Sequence, residues 1–307
     1  MNTPKRALLA MHYGTPATMA EVEPYYTHIR RGRQPSPEQL ADLVSRYEAI
    51  GGPSPLSTIS QQQAELIGAG LRSRGIEASV YVGAKHAHPF IAETVEVMAK
   101  DGIEEAVGVV LAPHYSSFSV AQYRDYAKGA LEKFAPNMRL SILERWGTLP
   151  AFIEALAGRV LTALDGWEAA DTLVIFSAHS LPMRALAEGD PYRDELMETS
   201  RLVAERLRLP HWTFAFQSAS STGEPWLGPD ILDVIEPETK LHALTNVVAC
   251  TVGFISDHLE VLYDLGIETR DKCAELGLNF RRAETINADP IVMDALAGDA
   301  ARLFGIA

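Results

Sequence analysis

Eight short runs rich in β-branched residues, with helical patterns between most of them, constrain this chain more than any other feature. The runs lie at 7–13, 78–83, 106–113, 140–146, 172–178, 212–217, 247–253 and 278–282. Patterns rich in Ala, Leu, Glu and Arg occupy 60–74, 89–100, 120–134, 150–164, 192–208 and 257–265. Strands alternating with helices predict parallel βαβ units. Nearly continuous apolar strands are what a sheet covered by helices on both faces requires. The strand starts fall into two series, 7, 78, 106, 140 and 172, 212, 247, 278. The last three members of each series are about one βαβ unit of ~30 residues apart. The spacing therefore predicts an α/β protein of two similar doubly wound, Rossmann-like halves, each with a parallel sheet, with a cleft between them. The halves are expected at 1–147 and 148–307, and a length of 307 residues suits two domains of roughly 150.

The first half carries an insert at about 15–60. It holds Pro16, Pro24, Pro35, Pro37, Pro53, Pro55 and the pair Gly51-Gly52. A Pro/Gly-rich segment this long inside a compact domain points to function. It also holds the densest basic cluster, His28-Ile29-Arg30-Arg31-Gly32-Arg33, followed by Arg46 and Tyr47. Arginine forks pair with carboxylate or phosphate. Arg31 and Arg33 suit a solvated basic turn better.

The cluster matters because the chain as a whole is acidic, with 27 Lys+Arg against 40 Asp+Glu and a formal net charge of −13. That balance excludes a general binder of nucleic acid or anionic membrane, which needs a positive field. It leaves room for a small acidic ligand met by local arginines. Two cysteines, Cys250 and Cys273, cannot supply a four-thiolate zinc or iron–sulfur site, and they fit a reducing compartment. The start of the chain lacks a signal-peptide pattern, and the apolar run at 247–255 falls far short of the ~20 residues of a membrane span. The expectation is a cytoplasmic protein. Walker-type loops, a Gly-x-Gly-x-x-Gly fingerprint and a Gly-x-Ser-x-Gly elbow do not occur, which disfavours nucleotide binding and serine hydrolysis.

Open α/β sheets bind ligands beyond the carboxyl ends of their strands. There stand Tyr13-Gly14-Thr15-Pro16, the segment 113–119, His179-Ser180-Leu181-Pro182 and the segment 254–260. Tyr13 and His179 hold equivalent places, each at the end of the first strand of its half. A neutral imidazole at 179 is suited to iron or zinc, or to a structural hydrogen bond ending the strand. Glu260, Asp264 and Glu268 recur every four residues, on one face of a helix. Like charges at that spacing repel. A divalent cation relieves the repulsion, and a solvated acidic face accounts for the same pattern.

Ordered segments along nearly the whole chain resemble the ferrochelatase family. They include Met11-His12-Tyr13-Gly14-Thr15-Pro16, Tyr25-Tyr26-Thr27-His28-Ile29-Arg30-Arg31-Gly32-Arg33 and Arg46-Tyr47-Glu48-Ala49-Ile50-Gly51-Gly52-Pro53-Ser54-Pro55. Further along come Pro113-His114-Tyr115-Ser116-Ser117-Phe118-Ser119, Ser177-Ala178-His179-Ser180-Leu181-Pro182, Gly189-Asp190-Pro191-Tyr192, Trp226-Leu227-Gly228-Pro229-Asp230 and Gly253-Phe254-Ile255-Ser256-Asp257-His258-Leu259-Glu260. The branch it is most similar to is the coproporphyrin III ferrochelatases of Gram-positive-type bacteria.

The resemblance implies a chelatase-like fold and a monomeric enzyme that inserts Fe2+ into coproporphyrin III in haem b biosynthesis. It implies no permanently bound cofactor, no iron–sulfur cluster, no nucleic-acid partner and no membrane span. By residue, it implies that His179 and Glu260 bind the incoming iron and that Tyr13 is the axial ligand in the product complex. Arg30, Arg46, Tyr47, Ser54 and Tyr123 would contact the porphyrin or its propionates, and Asp264 and Glu268 match an outer metal position. His12, His88 and the strand end at Cys250-Thr251 depart from the pattern usual in this branch. Alternatives are a protoporphyrin IX ferrochelatase, a chelatase for cobalt or nickel, and a non-catalytic porphyrin or haem carrier.

Overall fold

The computed structural model describes residues 4–187, 189–219 and 223–305. The chain divides into two compact units, each built on a four-stranded, wholly parallel sheet. The first sheet comprises β1 (Arg6–His12), β2 (Ala78–Ala84), β3 (Glu105–Val110) and β4 (Arg139–Leu143) in the order β2-β1-β3-β4. The second comprises β5 (Thr172–His179), β6 (Trp212–Gln217), β7 (Asn246–Thr251) and β8 (Asn279–Arg282) in the order β6-β5-β7-β8. The two orders are the same, so the paired series of strand starts reflects a repeated topology. In each sheet the first strand lies where the order turns back, the place at which doubly wound folds bind ligands.

The helices are α1 (Val22–Ile29), α2 (Pro37–Ala49), α3 (Leu56–Ser73), α4 (Ile91–Lys100), α5 (Val120–Phe134), α6 (Pro150–Leu164), α7 (Arg184–Ala187), α8 (Tyr192–Leu207), α9 (Ile231–His242), α10 (Thr269–Glu275) and α11 (Pro290–Leu303). None of them is long and apolar enough to cross a membrane. In the first unit β1 is buried from Ala7 to His12. Each Leu or Met so buried contributes roughly 1.5–3 kcal/mol. Gly68 of α3 fits tightly against Val80, and Gly83 fits against Ile91 of α4. Positions 80 and 83 point to opposite faces of a strand, so α3 and α4 cover the two faces of this sheet. In the second unit Leu173, Ile175, Val247 and Ala249 pack with Ile231, Val234 and Ile235 of α9 and with Leu265 and Cys273. Both cysteines are buried.

The insert is largely helical. α2 begins at a capping box, in which the Ser36 side chain accepts from the Gln39 backbone and the Gln39 side chain accepts from the Ser36 backbone, with Pro37 in the first turn. Those residues are a strong helix start, so Pro37 begins a helix within the Pro/Gly-rich segment. The helix expected at 257–265 is different in kind. Residues 261–268 form a π-helix that continues into α10; its wider turn is closed by the Thr269 amide on the Asp264 carbonyl.

The division of the chain also differs from a single cut at 147/148. Residues 287–305 group with the first unit and 113–118 with the second. α11 packs on α3, where Gly70 leaves room for Ala297 and Arg74 forms two bonds of 2.7 and 2.9 Å to Asp294. Residues 113–118 join the second unit through His114 Nε2 with Thr199 at 2.7 Å, the Tyr115 amide on Glu195 at 2.7 Å, and Ser116 and Ser117 on Asp190.

Candidate functional site

In the second unit the strand β5 is buried up to its last residue, His179, which emerges at the carboxyl edge. β7 leaves the sheet beside it. A Cβ on Gly253 would stand 2.5 Å from the Ala178 Cβ, so only glycine lets this exit approach β5 so closely. The Val252 and Gly253 amides both donate to the Ser177 carbonyl, at 2.9 and 3.3 Å. This crossing carries the segment that follows over the end of β5. His179 Nδ1 and Glu260 Oε2 then lie 2.9 Å apart, each side chain about one-third exposed. The Tyr192 hydroxyl donates to the His179 carbonyl at 3.1 Å and fixes the backbone below the ring. Trp226 and Phe254 stand edge-on to the imidazole with centroids 6.2 and 6.3 Å away.

Burial by itself raises the pKa of Glu260, but the charge and hydrogen bond of His179, then His258 and Ser218, outweigh it and hold the carboxyl down at about 2. Burial of Tyr192 pushes its phenol up, reinforced by Glu260 and Asp190. His258, which stands one turn or less before Glu260 in the sequence, has its Nε2 4.0 Å from Glu260 Oε2. Its Nδ1 lies 3.0 Å from the Ser256 carbonyl, an acceptor, so the Nδ1 proton is donated there. Its signal in the sequence is that place, on the loop leaving an apolar strand. Asp257 pairs with Arg282 at 3.0 Å. Asp264 is buried and accepts from the Ser218 hydroxyl. Glu268 is partly buried near the end of the π-helix. Among the described residues, no set of three or more His, Cys, Asp or Glu side chains gathers into a cage for an ion.

In the first unit Tyr13 directly follows β1 and is 38% exposed. Its ring leans on His86, centroids 4.6 Å apart, and the Lys85 ammonium lies 5.5 Å from the Tyr13 ring and 5.3 Å from that of Tyr123. His28 Nδ1 lies 3.1 Å from His86 Nδ1. Gly14 is held at φ +96°, and a Cβ there would strike Ala87, so glycine is required for the turn after Tyr13. Burial, reinforced by Arg31, pulls the Lys85 ammonium down to about 8. Burial, with Lys85 and His28, pulls His86 down to about 3, and burial pulls His12 down to about 4. Burial thus favours the neutral forms of His86 and His12 and leaves Lys85 a poorly solvated cation, a group that favours an arriving anion.

The other expected contacts are spread over the insert and α5. Arg30 lies over the Tyr26 ring at 5.4 Å, and Arg46 pairs with Asp42 one turn earlier at 3.1 Å. Ser54 donates to Thr15 at 2.9 Å in a buried contact. Tyr47 and Tyr123 are 2% and 4% exposed, so each presents at most an edge. Burial raises the pKa of Tyr123 far above the ordinary phenol value, and Tyr13 adds to the effect.

A family model described as Ferrochelatase matches residues 5–302. A relative named Ferrochelatase from Herpetosiphon aurantiacus is 43% identical over 296 residues, 95% of this chain and 97% of its own length. A relative named Coproporphyrin III ferrochelatase from Halalkalibacterium halodurans is 45% identical over 300 residues, 97% of this chain and 96% of its own. Among solved structures, SirB from Bacillus subtilis with Fe3+ superposes with a TM-score of 0.63 at 15% identity, covering 98% of both chains. At that identity the likeness establishes the fold.

Proposed function

The chain belongs to the ferrochelatase family, and from that premise we propose that it inserts Fe2+ into coproporphyrin III to give iron coproporphyrin III, a step towards haem b. The observation that carries the chemistry is the contact of His179 Nδ1 with Glu260 Oε2 at 2.9 Å, at the carboxyl end of β5. Relatives that bear the coproporphyrin III name support the choice of porphyrin.

Insertion exchanges two pyrrole protons for one Fe2+, so the protein must present the metal and accept protons. An imidazole with a carboxylate is a mixed nitrogen and oxygen donor set suited to iron. Glu260, already ionised, binds Fe2+ without first losing a proton. We assign His179 and Glu260 to the incoming iron, and take them to accept the pyrrole protons as one coupled pair. Tyr192, bonded to the His179 carbonyl, is a positioning residue. Tyr13 supplies the axial oxygen in the product complex. A flat porphyrin keeps its nitrogen lone pairs in plane, and binding energy at its rim bends it out of plane. Arg30, Arg46, Tyr47, Ser54 and Tyr123 form that rim, and Asp264 with Glu268 forms an outer position for the metal. On this reading the enzyme is a cytoplasmic monomer with no resident cofactor.

Protoporphyrin IX is the second reading, since the name Ferrochelatase borne by one relative at 43% identity specifies no porphyrin. Anaerobic titration of the purified chain with Fe2+ and each porphyrin, followed at the Soret band, separates the two. Faster turnover of coproporphyrin III is expected, and preference for protoporphyrin IX would overturn the choice.

A further inference from the structure

Ser218 stands directly after β6, one residue beyond Gln217, which is level with His179 in the pairing of β5 with β6. It therefore lies at the same carboxyl edge as the contact of His179 with Glu260. Its backbone is left-handed, with φ +61°. For a residue with a Cβ that region is crowded, and a serine stays there only where its surroundings hold it. Its hydroxyl meets two carboxylates: it donates to Asp264 and also hydrogen-bonds to Glu260.

Asp264 is the fixed member of the three. It is buried, and its carbonyl accepts both the Thr269 amide and, at 2.8 Å, the Thr269 hydroxyl. Glu260 is about one-third exposed and stands at the N-cap of the π-helix. A hydroxyl has one proton to give, so Ser218 cannot donate fully to both carboxylates at once. A cation bound by Glu260 replaces the hydroxyl there and leaves its proton to Asp264.

We propose that Ser218 is a positioning residue for metal loading. Its hydroxyl holds Glu260 against the fixed Asp264 where the metal arrives, and its proton passes wholly to Asp264 once the metal binds Glu260. This role rests on the assignment of His179 and Glu260 to iron. Groups that orient a metal ligand from behind contribute about 10- to 100-fold in metal affinity. Ser218 should therefore act on the metal and not on the porphyrin.

Co2+ titrated into the porphyrin-free chain, followed by its visible d–d absorption, tests this role apart from iron insertion. Ser218→Gly and Ser218→Ala both lack the hydroxyl, but only glycine relieves the left-handed backbone. Both are expected to bind Co2+ about tenfold or more weakly than the parent, with parental affinity for coproporphyrin III by fluorescence quenching. In turnover, KM for Fe2+ should rise while KM for the porphyrin stays. Ser218→Gly should melt above Ser218→Ala, although the two lose Co2+ affinity alike. Parental Co2+ affinity in Ser218→Gly, with binding lost in His179→Ala, overturns the role of Ser218 and leaves the iron assignment standing. Parental affinity in His179→Ala as well removes that assignment, and this role with it. A loss confined to Ser218→Ala traces to backbone strain and also overturns the proposal. If Ser218→Gly fails to give the native circular dichroism spectrum, Ser218→Thr carries the test, since it keeps the hydroxyl. It should bind Co2+ more tightly than Ser218→Ala, and equal affinities overturn the proposal.

Discussion

Glu260 reaches His179 only because Gly253 lies against Ala178, so an imidazole and a carboxylate some eighty positions apart in sequence meet at 2.9 Å. Removing the imidazole should separate binding from chemistry. His179→Ala is expected to bind coproporphyrin with near-parental affinity and to insert iron at least about 100-fold more slowly, the scale of a lost acid–base partner. Porphyrin fluorescence quenching gives the first quantity and the Soret shift under anaerobic Fe2+ the second. Normal insertion by the variant would remove His179 from the reaction.

The glycine itself is open to test. In Gly253→Ala the new methyl meets the Ala178 Cβ at 2.5 Å, and backbone must shift to make room. Overpacking of this kind costs about 1–3 kcal/mol. Iron insertion should fall further than thermal stability suggests, because the displaced segment carries Glu260. A variant with lowered Tm but unchanged kcat would show that the crossing does not position the carboxylate.

The low pKa of Glu260 predicts acid sensitivity of a definite sign. The folded value of about 2 lies below the ordinary 4.5. The group therefore adds stability above pH ~4.5, and loses that contribution as pH falls from about 4.5 towards 2. Urea unfolding at a series of pH values should show a shallower acid decline in Glu260→Gln than in the parent. Parallel curves would mean that the carboxylate is not stabilised by its histidines.

Lys85 predicts the opposite end of the pH scale. Its folded pKa of about 8 lies below the ordinary 10.5, so between these values the unfolded chain binds more protons and stability rises with pH. Lys85→Met should abolish that rise and be more stable than the parent at pH 7. An anion beside the ammonium raises its pKa, so coproporphyrin binding near pH 8.5 should take up protons. Calorimetry in buffers of different ionisation enthalpy measures the uptake, which Lys85→Met should lack.

Arg46 pairs with Asp42 in an exposed i,i+4 contact worth ~0.3–0.5 kcal/mol. Arg46→Ala should therefore leave stability nearly unchanged. It should weaken coproporphyrin III, with four propionates, more than protoporphyrin IX, with two, by about tenfold on the scale of a charge-assisted hydrogen bond. Equal weakening of both would detach this arginine from the propionates.

The repeated parallel sheets were legible because each buried strand is a bounded apolar run. β6, α5 and α6 begin and end where their patterns do. Strand order was not encoded in spacing, and emerged only with the pairing of β1 between β2 and β3. α2 was obscured by prolines whose positions in fact start the helix. α9 was hidden by Pro237 inside it, although Asp230 caps its first turn. The π-helix at 261–268 left no trace, since fourfold spacing of acids suits an α-helix equally. His179 and Glu260 were legible from their places after apolar strands. The approach of His258 depended on a close backbone crossing that residue identity does not record.

The return of α11 to the first unit also orders events during synthesis. β1 and α3 leave the ribosome before the second sheet, but the surface of α3 that receives Ala297 and Asp294 stays uncovered until Leu303 has emerged. Everything needed for the second sheet, from β5 to β8, is translated in that interval. The first unit is therefore begun before the second and completed after it, and a nascent chain arrested before residue 290 leaves that surface of α3 uncovered.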